Sequence, residues 1–405
     1  MTGRRLRLLY LGNAFPRGMA NETFFTSDSF LTPHLGEVLF TQELSRRAEI
    51  STVGLLPGSF WRMRPDLKED GSGSEQRLVI WDRNPAVWHR WTSWRKLRRF
   101  YREQMEREGM PDVVFVRNLQ HVFNHFVQWL RRQPRRPLVV LWLGDSGGLG
   151  EKIPWSRRFR YRLKPMQMLE DQAVLLYDAC VISGLAAKRY FEPRGVPWLW
   201  FPAAFSFNYE PPPPDPNQDG PIRFGYFGTL SERSGVLTLV QTFLRSHLPG
   251  TLHVCGHGNS AEALKQLAEQ HPNFQFDGFL PKQSDCLAWA QKVDVLINLR
   301  LPLWGQDNSA PSKVFEYGAA GKAILSTRTA GIDEILGNEG LYIETEMFEE
   351  SLRQKLREVS AMDRAELQRR ATIIRSRIVK NYSWGEMSRC VVEFLTKVVN
   401  SRRAS

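Results

Sequence analysis

The stretch SAPSKVFEYGAAGKAILST, residues 309–327, reads as a loop, a helix start, one short helix and a strand. Ser309 and Pro311 are start signals, because proline is tolerated in the first helical turn, where backbone N–H groups lack partners. Val314, Phe315 and the small residues Gly318, Ala319 and Ala320 allow close packing. Gly321 is a stop signal of the kind that ends helices in the left-handed conformation, and Ala323 to Leu325 follow as a buried strand. A helix N-terminus offers free N–H donors and partial positive charge to an anion. Lys313 adds a full charge there, and Glu316 lies three residues on, along the same face. The pair suits a ligand carrying both phosphate and hydroxyls. The same spacing also describes an ordinary surface Lys–Glu pair.

At 405 residues the chain has room for two domains, and an apolar content of 42% is that of a globular protein. No apolar run reaches the roughly 18 residues that span a bilayer. The opening MTGRRLRLLYLGNAF imitates a signal peptide, but its apolar run is short, and a first strand over Leu6–Leu11 is the expectation. Cys180, Cys255, Cys286 and Cys390 are widely spaced, with no metal-like pattern, so no metal site is expected. Reduced thiols in a cytoplasmic protein are the simplest account.

Net charge is +12, and its placement is informative. Residues 1–205 hold 32 Lys and Arg against 20 Asp and Glu, while the remainder holds 23 of each. The whole excess lies in the first half, which predicts an anionic partner there. Within Trp88–Met105, Trp88, Trp91, Trp94, Leu97 and Tyr101 recur at helical spacing among six basic residues. That is either a membrane-surface helix or one whose aromatic stripe packs on its own domain. Trp155–Lys164 (WSRRFRYRLK) is a second basic-aromatic cluster that would share an anionic membrane surface. No motif points to nucleic acid.

In chain order, Leu6–Leu11 leads into Gly12-Asn13, a strand-to-helix turn. Leu35–Arg47 has helical periodicity, and Ile50–Leu55 reads as a second strand. Asp112–Val116 and Leu138–Leu143 are further buried strands. The latter runs into Gly144-Asp145-Ser146-Gly147-Gly148, where Asp145 is either a site carboxylate or a turn cap. Met168–Tyr177 reads as a helix and Ala179–Ser183 as a strand. The prolines of YEPPPPDPNQDGP, residues 209–221, stiffen a linker. The boundaries are therefore a first domain at 1–205, a linker at 206–221, a second domain at 222–383 and a closing helix and tail at 384–405.

In the second half, Arg223–Gly228 is a strand followed by the loop Gly228-Thr229-Leu230-Ser231-Glu232-Arg233-Ser234-Gly235. Gly256-x-Gly258-x-x-Ala261, with Asp277 about twenty residues on, is a formal dinucleotide fingerprint, but it follows the second strand of its domain, not the first. Gly321-Lys322 is not a Walker A loop, since Glu316 stands where its first glycine would be. Val293–Leu299 leads to Arg300.

These motifs carry a resemblance. PSKVFEYGAAGKAILST resembles the donor-site helix of the retaining glycosyltransferases of family 4, close to P-S-K-x-x-E-Y-x-A-x-G-K-P. Gly228–Gly235 resembles that family's phosphate loop G-R-L-x-x-x-K-G, with Thr229 at the Arg position and Ser234 at the Lys position. Asn298-Leu299-Arg300 and the closing NYSWGEMSRCVVEFLT are similar to family elements, as are Glu170, Asp178 and Ser183, whose role there is mainly structural. The likeness is good over 222–400 and only in outline over 1–205. It implies the GT-B fold: two Rossmann-like α/β domains with parallel sheets facing across a cleft, and a C-terminal helix crossing back to the first. It implies transfer of a sugar from a nucleoside-diphosphate sugar to an acceptor hydroxyl, with retention, in cell-envelope or surface polysaccharide or glycolipid synthesis. No cofactor is implied beyond the donor itself. The place implied is cytoplasmic, with peripheral attachment to the inner face of the membrane.

Carried over by position, Asp145, Lys313 and Glu316 become the catalytic candidates. Gly228, Thr229, Arg233, Gly256, Phe279, Arg300, Ser309 and Ser312 join Lys313 and Glu316 in donor binding. Gly12 and Asn13 lie on the acceptor side. The sequence departs from the family pattern at four positions. Gly144 stands in place of the family's His, Asn308 in place of the first of two glutamates, and Thr229 and Ser234 in place of basic residues. These departures keep open a non-catalytic partner subunit of the same fold, and the Gly256 fingerprint keeps open a nicotinamide-dependent oxidoreductase.

Overall fold

A computed structural model describes residues 4–12, 31–57, 77–82, 87–144, 174–205, 209–213, 220–280, 282–301 and 312–404. The chain divides into two units, Met1–Phe201 with Trp384–Ser405, and Pro202–Ser383.

The first unit runs β1 (Arg7–Gly12), α1 (Leu31–Ser45), β2 (Glu49–Pro57), β3 (Arg77–Asp82), α2 (Val87–Glu108), β4 (Val113–Arg117), α3 (His121–Arg131), β5 (Leu138–Leu143), β6 (Ala179–Ile182), α4 (Lys188–Phe191) and β7 (Trp198–Trp200). Its parallel sheet has the order β3-β2-β1-β4-β5-β6-β7. Strands such as β5, LVVLWL, are buried along their whole length, as expected where helices cover both faces of a parallel sheet. The order reverses between β1 and β4, where Leu11 lies beside Val116. Such a reversal opens a crevice at the C-terminal ends of the strands.

The second unit runs β8 (Arg223–Thr229), α5 (Val236–Arg245), β9 (Thr251–His257), α6 (Ala261–Gln270), β10 (Phe274–Phe276), α7 (Gln283–Trp289), β11 (Val295–Asn298), α8 (Ser312–Ala319), β12 (Ala323–Thr327), α9 (Ile332–Leu336), β13 (Leu341–Ile343), α10 (Phe348–Ser360) and α11 (Arg364–Asn381). Its parallel sheet has the order β10-β9-β8-β11-β12-β13, with the reversal between β8 and β11. Both orders are those of doubly wound α/β folds. The last helix, α12 (Trp384–Ala404), belongs to the first unit and packs on α1, where Gly36 leaves room for the Trp384 ring.

The second unit begins at Pro202, ahead of the linker expected at 206–221. The reason is local. Phe205 forms a bridge with Ser383, Arg375 donates to the Tyr209 carbonyl at 3.2 Å, and Pro211 packs beside Gly321. Those residues thus lie in the second unit. Strand β3 and helix α3 are additions to the elements expected from the sequence. Of the helix expected at Met168–Tyr177, only Val174–Leu176 is described within a regular element, as a single 3-10 turn.

The aromatic stripe of α2 faces its own domain. Leu97 and Tyr101 are buried, and Trp94 packs against the same core. Arg98 stacks between Trp94 and Trp129, at 4.6 and 4.5 Å from the ring centroids. Trp94, Leu97 and Tyr101 thus pack on their own domain, one of the two alternatives for this helix, and Arg95, Lys96, Arg99 and Arg102 face outward. The side chains of Trp88 and Trp91, and all of Trp155–Lys164, lie outside the described residues. No helix among the described residues is long and apolar enough to cross a membrane.

Candidate functional site

The C-terminal ends of β8, β9 and β11, with α8, bring most of the expected donor residues together. Helix α8 is anchored to β8 by Tyr317, whose hydroxyl donates to the Phe227 carbonyl at 2.9 Å. Gly318 lets the helix lie against α11, since a Cβ there would collide with the Ile378 side chain. These two contacts together fix which face of α8 carries Lys313 and Glu316.

Lys313 runs across the backbone of Gly228. A Cβ at that glycine would stand 2.5 Å from Lys313 Cε and 2.7 Å from its Nζ. The ammonium lies 4.2 Å from the Tyr226 ring centroid and donates to the Tyr226 hydroxyl. That hydroxyl in turn donates to the Thr229 carbonyl at 2.7 Å. One phenol therefore ties the lysine to the last residue of β8. Sequence reading does not single out Tyr226, because a tyrosine inside an apolar strand looks like core until its hydroxyl partners are known.

Glu316 accepts from Gln283 Nε2 at 3.2 Å. Burial raises its carboxyl above the ordinary range, and the Gln283 hydrogen bond and the Lys313 charge oppose that rise. Gln283, at the start of α7, is the second residue that sequence reading does not reveal; it is 33 positions away from Glu316.

Gly228 and Gly256, paired at the C-terminal ends of β8 and β9, and Gly258, against Leu230, allow these strand ends and the turns after them to meet. A Cβ on Gly256 would overlap the Gly228 carbonyl oxygen, and the residue has φ +153°. Gly256 N–H donates to the Gly278 carbonyl at 2.7 Å, which brings in the segment holding Phe279. Phe279 is 45% exposed and packs edge-on against His257, with ring centroids 4.6 Å apart. Thr229 is exposed, and Ser234 caps the 3-10 turn with Ser231 instead of pointing a charge at the loop. Arg300 follows β11, with its N–H bonded to Thr327 Oγ1 at 3.1 Å. Ser312 is the exposed first residue of α8. Ser309, Asn13 and Asp145 lie outside the described residues, as does the Arg233 side chain.

Asp277 is engaged by His253 at 3.3 Å and by Trp289 Nε1 at 2.9 Å. Those partners hold its carboxyl below the usual range against the effect of burial, the His253 bond contributing most. The glycine turn also follows β9, not the first strand β8. The dinucleotide reading therefore lacks both its position and a ribose-binding carboxylate. Asp178, in the first unit, is similarly structural: Arg136 binds it through two bonds of 2.6 and 2.8 Å, and Val139 N–H donates to it at 2.9 Å.

In the first unit, Gly12 ends β1 beside a buried group. Tyr10 donates to Glu37 at 3.0 Å, and Arg117 pairs with Glu37 at 3.4 Å. A Cβ on Gly12 would meet both Glu37 and Tyr10 at 2.6 Å.

Residues 221–361 match the family model described as Glycosyl transferases group 1. A search of curated proteins gives no match. Among solved structures, the chain is similar to the lipopolysaccharide outer core galactosyltransferase WaaB in its apo form, with 12% identity and TM-score 0.63, covering 98% of this chain and 100% of that one. It is similar to sucrose-phosphate synthase from Thermosynechococcus elongatus at 13% identity and TM-score 0.64, covering 98% and 100%. It is also similar to HepE of Anabaena in complex with UDP, at 14% identity and TM-score 0.59, covering 97% and 100%. The chain has the GT-B fold, and the match to the glycosyl transferases group 1 model falls within its second unit.

Proposed function

We propose that the chain transfers a sugar from a nucleoside-diphosphate sugar to an acceptor hydroxyl, with retention, as a family 4 enzyme of envelope or surface glycan synthesis. The observation that carries this is the Lys313 ammonium laid over Gly228, with Glu316 one turn further along α8. Departure of a nucleoside diphosphate builds negative charge, which preorganised donors stabilise. Lys313, Arg300 and the N-terminus of α8 supply them, with Arg233 as a further candidate. Glu316 receives ribose or sugar hydroxyls, Phe279 and Gly256 border the nucleotide, and Asp145 orients donor or acceptor. The UDP held by HepE makes uridine nucleotides the first donors to try. The outward basic face of α2 suits an anionic acceptor or membrane surface.

A second reading, a non-catalytic subunit of the same fold, is favoured by the exposed Thr229 and the capping role of Ser234. Incubation with a panel of UDP-, GDP- and ADP-sugars, followed for hydrolysis and transfer, separates the two. Nucleotide binding without release of nucleoside diphosphate across the panel and an acceptor library supports the subunit.

A further inference from the structure

We infer that Arg117 forms an anion-recognition site in the first unit, taking a phosphate or carboxylate on the acceptor. That the anion belongs to an acceptor rests on the transferase reading; the site itself does not. Arg117 ends β4, and Gly12 ends β1, so the two flank the reversal of strand order. Crevices for ligands open at such reversals. The guanidinium lies over Gly144, where a Cβ would collide with its carbon and both terminal nitrogens. Glycine at 144 is thus the residue that leaves space for Arg117.

The guanidinium is placed but under-bonded. Trp142 lies beneath it at 4.0 Å from the ring centroid, and Glu37 faces Nε at 3.4 Å. Among the described residues neither Nε nor Nη1 finds a hydrogen-bond partner, although both atoms are buried. Leaving buried charged donors unbonded is costly, and a planar fork held on an aromatic face matches a two-oxygen anion. Asn118, in the left-handed region at φ 58°, accepts from Gly144 N–H at 2.9 Å and so holds the glycine in register with Arg117.

Ligand-observed NMR titrations with inorganic phosphate and with acetate test the site, in the Lys313→Ala background so that the donor site does not contribute. Arg117→Met is expected to weaken binding of the preferred anion at least about tenfold, the loss of one charge-assisted hydrogen bond. Gly144→Ala, which displaces the guanidinium while keeping its charge, is expected to do the same and serves if Arg117→Met does not fold. Preference between the two anions tells phosphate from carboxylate. Equal binding by the parent and the folded variants, or no binding by the parent, overturns the inference. Failure of nucleotide sugars to bind the wild type would instead count against the transferase reading alone.

Discussion

Replacing Lys313 by alanine tests the proposed donor site most directly. The ammonium is held by one phenol, 4.2 Å from the Tyr226 ring centroid and bonded to its hydroxyl, so it needs little reorganisation to meet a leaving phosphate. Losing one preorganised donor of this kind costs about 2.7–4 kcal/mol in the transition state, or roughly 10²–10³ in turnover. The fold should lose far less, about 0.5–1 kcal/mol for a cation–π contact at a partly exposed site. Turnover is measured on whichever nucleotide sugar the wild type uses, alongside thermal unfolding of both proteins. A folded Lys313→Ala protein with turnover within about threefold of wild type would refute the assignment, since that is well below the loss of a single donor.

Tyr226→Phe keeps the ring under the ammonium and removes the hydroxyl; the donor KM should rise about 2- to 10-fold, the value of one ordinary hydrogen bond, with kcat changed less. Glu316→Gln should raise stability at neutral pH. Burial raises the folded carboxyl above its unfolded value, so its contribution is most favourable at low pH and is lost as pH rises through the folded value; urea midpoints should converge for the two proteins in acid and diverge above it. Gly256→Ala should destabilise by about 1–3 kcal/mol from the backbone conformation, before the clash with Gly228 is counted, read as a shift in denaturant midpoint.

The strand and helix signals of the second unit are legible in the sequence because they are local. Gly321 has φ +70° where a helix stop is expected, and Ala323–Thr327 is a buried strand. Lys313 and Glu316 are legible too, since a spacing of three places them on one helical face whatever surrounds it. The alternatives for α2 cannot be separated from its sequence: the same stripe fits a membrane or a core, and only the tertiary packing shows Trp94, Leu97 and Tyr101 against the core of their own domain.

What the amino-acid order determined by itself was the run of buried strands separated by helices, the short helix at 312–319 and the charge excess of the first half, all of which follow from periodicity and composition. Tertiary structure decided the partners: Tyr226 on Lys313, Gln283 on Glu316, His253 and Trp289 on Asp277, and Arg117 over Gly144. Most of these contacts join residues tens of positions apart, and their geometry is set by how neighbouring strands and helices pack, which no local pattern encodes.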